Sequence, residues 1–577
     1  MATAMRDKQA NRRIRLLLVV FTLLFAAMFG RALWLQTVEA SHLQTLAKNQ
    51  HEATQTIPAG RGTILDRTGV QFAIGEQKMT IYADPQRVRN ARGIALAAHT
   101  LLGVDSNLLY PQLVNKKSQF VYIQRFADPE KAAAFLKKGF AGVLSYPEEF
   151  RTYPQGPVGA QVLGFAGVDE TGLGGIESQY NRKLAGRPGK QTIVRDPTGR
   201  PIDVISSRPV QEGANVLMTL DHTIQAQAEK VLRETVAATG AKDASAVVED
   251  PATGEILAMA QTPGYDANNT SKVARYAPGI LRNRAVTDTY EPGSTFKLVT
   301  ITAALTDGIV TPSTSFSLPY LFRYSGCAQC TVHDAEQRST ETLTVSQILQ
   351  FSSNVGAVTI AEKLGGQRLS DWVQKFGFGS TTGIDFPGES PGSVLPLDKW
   401  SDTTIGNVPI GQGISVTPIQ MASVYAAVAN GGVWIQPHLV ERVGGRAPQD
   451  WKKRRLMSSS VDREIKAMLT GVVADPGATG NEAQIPGYTV AGKTGTAQVA
   501  TAKGYSDTDY TASFVGMVPA SHPRLVVLVK VDNPRTSIFG GVVAAPAFKA
   551  IAKFDLQYLE VPPDAPDTAD RSTLSAG

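Results

Sequence analysis

At 577 residues the chain exceeds one ordinary domain, and typical domain sizes point to about two to four. With 42% hydrophobic and 19% charged residues it has ample material for packed cores, which excludes a largely disordered chain. The formal charge of +6 gathers in the N-terminal tail, where Arg6, Lys8, Arg12, Arg13 and Arg15 oppose only Asp7. The remainder is close to neutral, and no basic stripe with interleaved aromatics is left to follow phosphates, so nucleic acid is excluded as the main partner.

The tail leads into an uncharged run, Leu16 to Gly30, then Arg31 and a further apolar stretch, Ala32 to Leu35. A spanning helix needs roughly 17–25 mostly apolar residues, so Ile14 to Leu35 suffices if Arg31 snorkels to the interface. The basic flank puts the N-terminal side in the cytoplasm, and Trp34 stands where an interfacial aromatic anchors the outer end. The alternative is a cleaved signal peptide, for which Val38-Glu39-Ala40 is a poor cleavage site. Either reading exports everything beyond about residue 36.

From Ser41 to about Gln191 short strands and helices mix without one dominant period. Thr56 to Gly69 reads as strand and turn, Pro129 to Lys138 as helix, and Ile176 to Leu184 as a helix-like run after a glycine-rich passage. Between Arg187 and Gly213 the composition is that of a linker or exposed hairpin. No repeat of 20–50 residues occurs. A second exported domain begins near Asn215. Asp221 is expected to cap a helix over Thr223–Thr239, with Ile224, Ala228, Val231, Leu232 and Val236 on one side. Strands are expected at Ala244–Glu249 and Gly254–Gln261, then at Tyr488–Gln498, Tyr510–Val518 and Arg524–Val531. The connections are too short for parallel crossovers. The simplest fold is α+β, one antiparallel sheet of five strands flanked by helices. The middle, Ser294 to about Met421, reads as largely helical, and the tail beyond Pro562 as disordered.

Pro292-Gly293 breaks the chain before Ser294-Thr295-Phe296-Lys297, so Ser294 is expected at a helix N-terminus with Lys297 one turn later. A serine hydroxyl needs a base within reach. Lysine can be one only if burial or a second cation pushes it toward the neutral form. The helix N-terminus offers N–H groups to a developing oxyanion. Alone, the Ser-x-x-Lys pair is equally an N-cap serine with a solvated lysine. Two other segments change that. Ser352-Ser353-Asn354 sets a hydroxyl and an amide two apart, suited to relaying a proton and holding a substrate amide. Lys493-Thr494-Gly495-Thr496, on an expected strand, offers a second cation, a hydroxyl, a glycine and an N–H beyond it.

These boxes, with Ala497-Gln498 after the third, resemble the three boxes of the class B penicillin-binding proteins. Arg61-Gly62-Thr63-Ile64-Leu65-Asp66-Arg67 resembles the family's pedestal signature, and Gly411 to Pro418 another of its stretches. The resemblance covers nearly the whole chain. It implies a cytoplasmic tail 1–13, a transmembrane helix 14–36, an elongated dimerisation-like pedestal 37–214, a transpeptidase domain 215–560 and a tail 561–577. It implies a peptidoglycan D,D-transpeptidase of the cell membrane, with Ser294 acylated by stem peptides or β-lactams and Lys297 as base. Ser352 would relay a proton, Asn354 bind the substrate amide, and Lys493 and Thr494 hold the terminal carboxylate. Backbone N–H groups of Ser294 and Thr496, beside Gly495, would form the oxyanion hole. Ser-x-Asn in the middle box resembles division-type members, whose partners are a polytopic glycosyltransferase of the SEDS class and other divisome membrane proteins. An elongation-type enzyme and a non-catalytic wall sensor or divisome scaffold are the alternatives. No cofactor and no metal are expected, since the seven histidines are scattered and His-Glu-x-x-His is absent. Cys327-Ala-Gln-Cys330 reads as a disulfide or two inert thiols rather than half a zinc site.

Overall fold

A computed structural model describes residues 2–195, 201–269, 278–323, 330–501 and 504–565. It divides into two compact units. The first comprises Met1–Ala59 and Gly186–Glu212. Its helix Ala2–Thr37 carries the apolar span Ala10–Thr37, whose most apolar 18 residues have a mean hydropathy of 2.3 and are wholly unburied. Among the described residues it is the one helix long and apolar enough to cross a membrane. Arg31 lies 3.8 Å from Glu39, and Trp34 Nε1 donates to Glu39 at 3.2 Å, so both polar groups meet at one end of the apolar run. That is where an interface would receive them. In the stretch from Arg187 to Gly213, Gly189–Arg195 pairs antiparallel with Pro201–Arg208 and with Glu52–Ile57.

The second unit comprises Gly60–Ala185 and Gly213–Gly577. In its early part, the strand Gln71–Ala83 pairs antiparallel with Val143–Thr152 and Val121–Ala127, covered by helices Ala91–Leu102 and Pro129–Leu136. The run expected as one helix over 176–184 is two short helices, Gly175–Gln179 and Asn181–Leu184. Arg61 is buried against Glu177, which also receives Arg151 at 2.6 Å, so the pedestal signature is pinned by a desolvated ion pair.

The later part is built on five antiparallel strands: β1 Asp243–Asp250, β2 Glu255–Thr262, β3 Ala491–Thr501, β4 Gly504–Val518 and β5 Leu525–Asp532. Their order is β2-β1-β5-β4-β3. Along β5, Leu525, Val527, Val529 and Val531 face one core while Val526 and Leu528 face another. Both faces are therefore covered, and the strands read as apolar runs rather than as alternation. One face carries helix α1, His222–Thr239, and helix α6, Gly540–Tyr558. Asp221 caps α1 by accepting from Thr223 N and Ile224 N, as its position demands. Helix α6 was not expected, because Pro546 lies inside it and two glycines open it. The other face carries the helical middle, α2 Lys297–Thr306, α3 Asn354–Leu364 and α4 Pro418–Ala429, and beyond it α5 Ser459–Ala474. That middle is not wholly helical. Two small antiparallel pairs, Ser315–Leu318 with Glu341–Thr344 and Leu321–Arg323 with Thr331–His333, interrupt it. Cys330, at the foot of the second pair, is in a disulfide. Cys327 lies outside the described residues, as does the tail beyond residue 565. The start of the tail expected to be disordered from Pro562 is bonded instead: Asp564 accepts from Thr489 N at 2.7 Å and from Ser521 Oγ at 2.6 Å.

Candidate active site

Ser294 lies in a single turn of 3₁₀ helix, Gly293–Phe296, that runs directly into α2 at Lys297. Gly293 has φ +55°, and a Cβ there would meet Thr496 O at 2.6 Å. Only glycine turns the chain so close to β3. Gly293 N donates to Gly411 O at 3.1 Å, Tyr290 bridges to Val416, and Gly413 N donates to Glu291 Oε1 at 3.0 Å. The Gly411–Pro418 stretch thus braces the serine turn. Gly495 serves the same packing: a Cβ would meet Ser513 Oγ at 2.4 Å and Pro292 O at 2.9 Å. The close approach it permits is to the chain's own serine turn.

Lys297 is fully buried. Its Nζ donates to Ser352 O at 2.5 Å, Asn354 Oδ1 at 2.7 Å and Ser352 Oγ at 3.2 Å. Burial pulls its pKa down to about 7, against an opposing pull from the Asp334 carboxylate. As an ammonium it uses all three protons on these oxygens. As an amine it keeps a lone pair that can take a hydroxyl proton. Ser294 Oγ has no hydrogen-bond partner among the described residues.

The middle box sits in the turn between helix Val345–Gln350 and α3. Ser352 adopts φ +61°, a left-handed conformation uncommon outside glycine. Ser353 caps α3 by accepting from Gly356 N at 3.0 Å. Asn354 spends Oδ1 on Lys297 and one amide hydrogen on His333 O at 3.0 Å, which leaves the second amide hydrogen for a ligand.

The third box lies on β3, where Lys493 pairs with Val515. Lys493 is fully buried, and its Nζ reaches Thr494 Oγ1 at 3.1 Å and Thr494 O at 3.2 Å. Burial and then the nearby Lys297 push its pKa well down. Among the described residues no carboxylate pairs with it. Thr494 Oγ1 donates to Thr479 Oγ1 at 3.0 Å, and Thr496 Oγ1 accepts from Gly540 N.

The three boxes therefore gather around Lys297. Sequence reasoning missed Asp334, which receives Asn354 N at 2.6 Å, and Thr479. Neither stands near a box in the chain, and only folding brings them there. Ser390, in a Gly-x-Ser-x-Gly string, lies in a loop. Asp66, Asp221 and His222 cluster elsewhere, but they spend their oxygens on Thr68, Val70, Thr223 and Ile224 amides and on the His222 ring, so they are a structural brace.

The family model of the penicillin-binding protein transpeptidase domain matches residues 244–553, and that of the penicillin-binding protein dimerisation domain residues 56–218. The chain is 34% identical over 97% of its length to the peptidoglycan D,D-transpeptidase FtsI of Escherichia coli K12, covering 94% of that protein. It is 33% identical over 98% of its length to the probable peptidoglycan D,D-transpeptidase PbpC of Pseudomonas aeruginosa, covering 99% of it. The crystal structure of penicillin-binding protein 3 from Mycobacterium tuberculosis, in complex with aztreonam, matches with a TM-score of 0.69 at 30% identity, over 89% of this chain and 99% of that one. The chain belongs to the class B penicillin-binding proteins.

Proposed function

We propose that this chain is a peptidoglycan D,D-transpeptidase that acts through a Ser294 acyl-enzyme. The observation that carries the reading is Lys297, buried, its pKa pulled down to about 7 and its Nζ bonded to both functional residues of the middle box. Ser294 Oγ attacks the carbonyl carbon between the last two residues of a donor stem peptide, and neutral Lys297 takes the hydroxyl proton. The proton passes through Ser352 Oγ to the leaving amine as the C–N bond breaks. An amine of an acceptor stem peptide then attacks the ester, loses a proton by the same route, and frees Ser294. Lys493 and Thr494 hold the donor's terminal carboxylate, which supplies the negative charge that the buried Lys493 lacks. The N–H groups of Ser294 and Thr496, beside Gly495, hold the oxyanion. A β-lactam enters the same path and stops at the ester. Mass spectrometry of the chain with and without a penicillin tests this: one adduct is expected, on the peptide that contains Ser294, and an adduct elsewhere overturns the assignment.

The Ser-x-Asn middle box and the similarity to FtsI favour septal wall synthesis over elongation. The basic tail favours residues 1 to about 13 inside and residue 41 onward outside. Pedestal 37–214 and transpeptidase domain 215–560 then lie outside, and a cytoplasmic-only reporter fused after Gly577 stays silent. The matched family domains supply no glycan polymerase, so a SEDS-class glycosyltransferase is the expected partner, with other divisome membrane proteins. Ala26 and Gly30 share one helix face, and nothing lies within 4 Å of a Cβ at Gly30. Such small residues permit close helix approach in lipid. Replacing both by leucine should leave penicillin binding intact and lower co-purification with the polymerase.

A further inference from the structure

Asp334 follows the strand Thr331–His333 and is 6% exposed. Its Oδ1 accepts from Asn354 N at 2.6 Å and from Val355 N at 3.1 Å, and both its oxygens lie 3.0 Å from Ser353 Oγ. Arg338 fixes the carboxylate from behind, at 2.5 Å through Nη2 and 3.2 Å through Nε. Asp334 therefore receives two backbone amides and the capping hydroxyl at the start of α3, while Gly356 N donates to Ser353 Oγ. A carboxylate at a helix N-terminus is also favoured by the helix dipole.

The residue just before this clamp is Ser352, at φ +61°. A non-glycine residue there is strained and persists only where its surroundings impose it. The imposed turn aims both Ser352 oxygens at Lys297. On one side the constraint is Lys297 itself. On the other it is the backbone of 353–355, held by Asp334 at Asn354 N and Val355 N and by Ile348 O at Ser353 N.

We propose that Asp334 is a positioning residue of the acyl-transfer site, pinning residues 353–355 so that Ser352 and Asn354 meet Lys297. This rests on the transpeptidase reading above. Asp334 also acts on Lys297 through its charge. The charged groups facing Lys297 are Asp334, from the end of the small strand pair, and Lys493, from β3; Arg338 stands behind Asp334, and His333 joins through its backbone oxygen. Burial favours the neutral amine, and the Asp334 charge opposes it. Removing the Asp334 charge should therefore let Lys297 lose its proton at lower pH.

The test is the second-order rate of acylation by a fluorescent penicillin, followed against pH in the full chain and in two variants. Asp334→Asn keeps an acceptor for Asn354 N and leaves Arg338 to Glu341, 3.6 Å away. It should acylate within about tenfold of the parent, with the acid limb of its pH profile moved to lower pH. Asp334→Ala removes the clamp and should lose roughly 10²-fold, the usual effect of displacing a reacting group by about 1 Å. Thermal melting reports folding in both, and if the alanine variant does not fold the asparagine variant decides alone. A clamp of merely structural value would lower the melting temperature and leave the acid limb in place; that outcome, or a limb moved to higher pH, overturns the proposal. Failure of the parent chain to acylate at Ser294 overturns the transpeptidase reading and this one together, whereas a normal parent with an unmoved Asp334→Asn overturns this one alone.

Discussion

Lys297 Nζ lies 2.7 Å from Asn354 Oδ1, so two boxes 57 residues apart in the chain meet on one nitrogen. The contact decides more than position. A fully buried ammonium is costly, and three oxygens around it offset the cost only in part. The site thereby keeps a lysine close to giving up its proton at neutral pH, which an exposed lysine with a pKa of about 10.4 cannot do.

Acylation should rise with pH through about 7, where Lys297 becomes neutral, and then level off. The same shift bears on stability. The folded pKa is lowered, so between about 7 and about 10.4 the unfolded chain holds a proton that the folded chain lacks. This term should make stability rise with pH across that window and stay flat below it. Acylation rates and urea midpoints, both followed from about one pH unit below neutrality to about two above, check the two claims.

The two buried lysines should respond differently to arginine. Lys297→Arg retains charge but cannot become a neutral base, so acylation should fall by roughly 10³-fold while the fold survives. Lys493→Arg retains a cation for the substrate carboxylate, and its loss should be smaller and appear mainly in substrate affinity. Labelled-penicillin trapping at several concentrations separates the effects. Equal losses of rate would mean that the roles are misassigned.

Gly293→Ala should damage the site without touching any reacting group. At φ +55° an alanine is strained by about 1–3 kcal/mol, and its Cβ would press on Thr496 O. The serine turn must then draw away from β3. A lower urea midpoint together with slower acylation is expected; an unchanged rate would show that the turn tolerates the shift.

Arg61→Met tests the pedestal signature. Arg61 and Glu177 side chains are both wholly unexposed, and breaking such a pair commonly costs about 3–5 kcal/mol. Arg151 remains on Glu177, so the loss should lie near the lower end. Urea unfolding measures it. Ser294 should still acylate at low temperature, since none of its contacts involves this pair.

Much of this was legible in the chain. Asp221 announced its helix, because an N-cap signal is local. The five strands were legible from apolar runs and short connections, though β3 begins three residues later than expected, at Ala491. Helix α6 escaped notice because Pro546 argues locally against it, while burial against β4 and β5 outweighs that argument.

By itself the sequence determined the residue types that the chemistry needs and some of the elements that carry them: a serine and a lysine one turn apart, a Ser-x-Asn string, and a lysine on a strand. Those are local facts, set by helix and strand periodicity. Only the tertiary structure decided which state these groups adopt. Lys297 lies near neutrality because the fold buries it, Asn354 faces it because Ser352 is forced to φ +61°, and Asp334 reaches the same turn from 20 residues away. Burial, charge proximity and imposed backbone geometry are properties of neighbours in space, and neighbours in space are what a linear chain does not state.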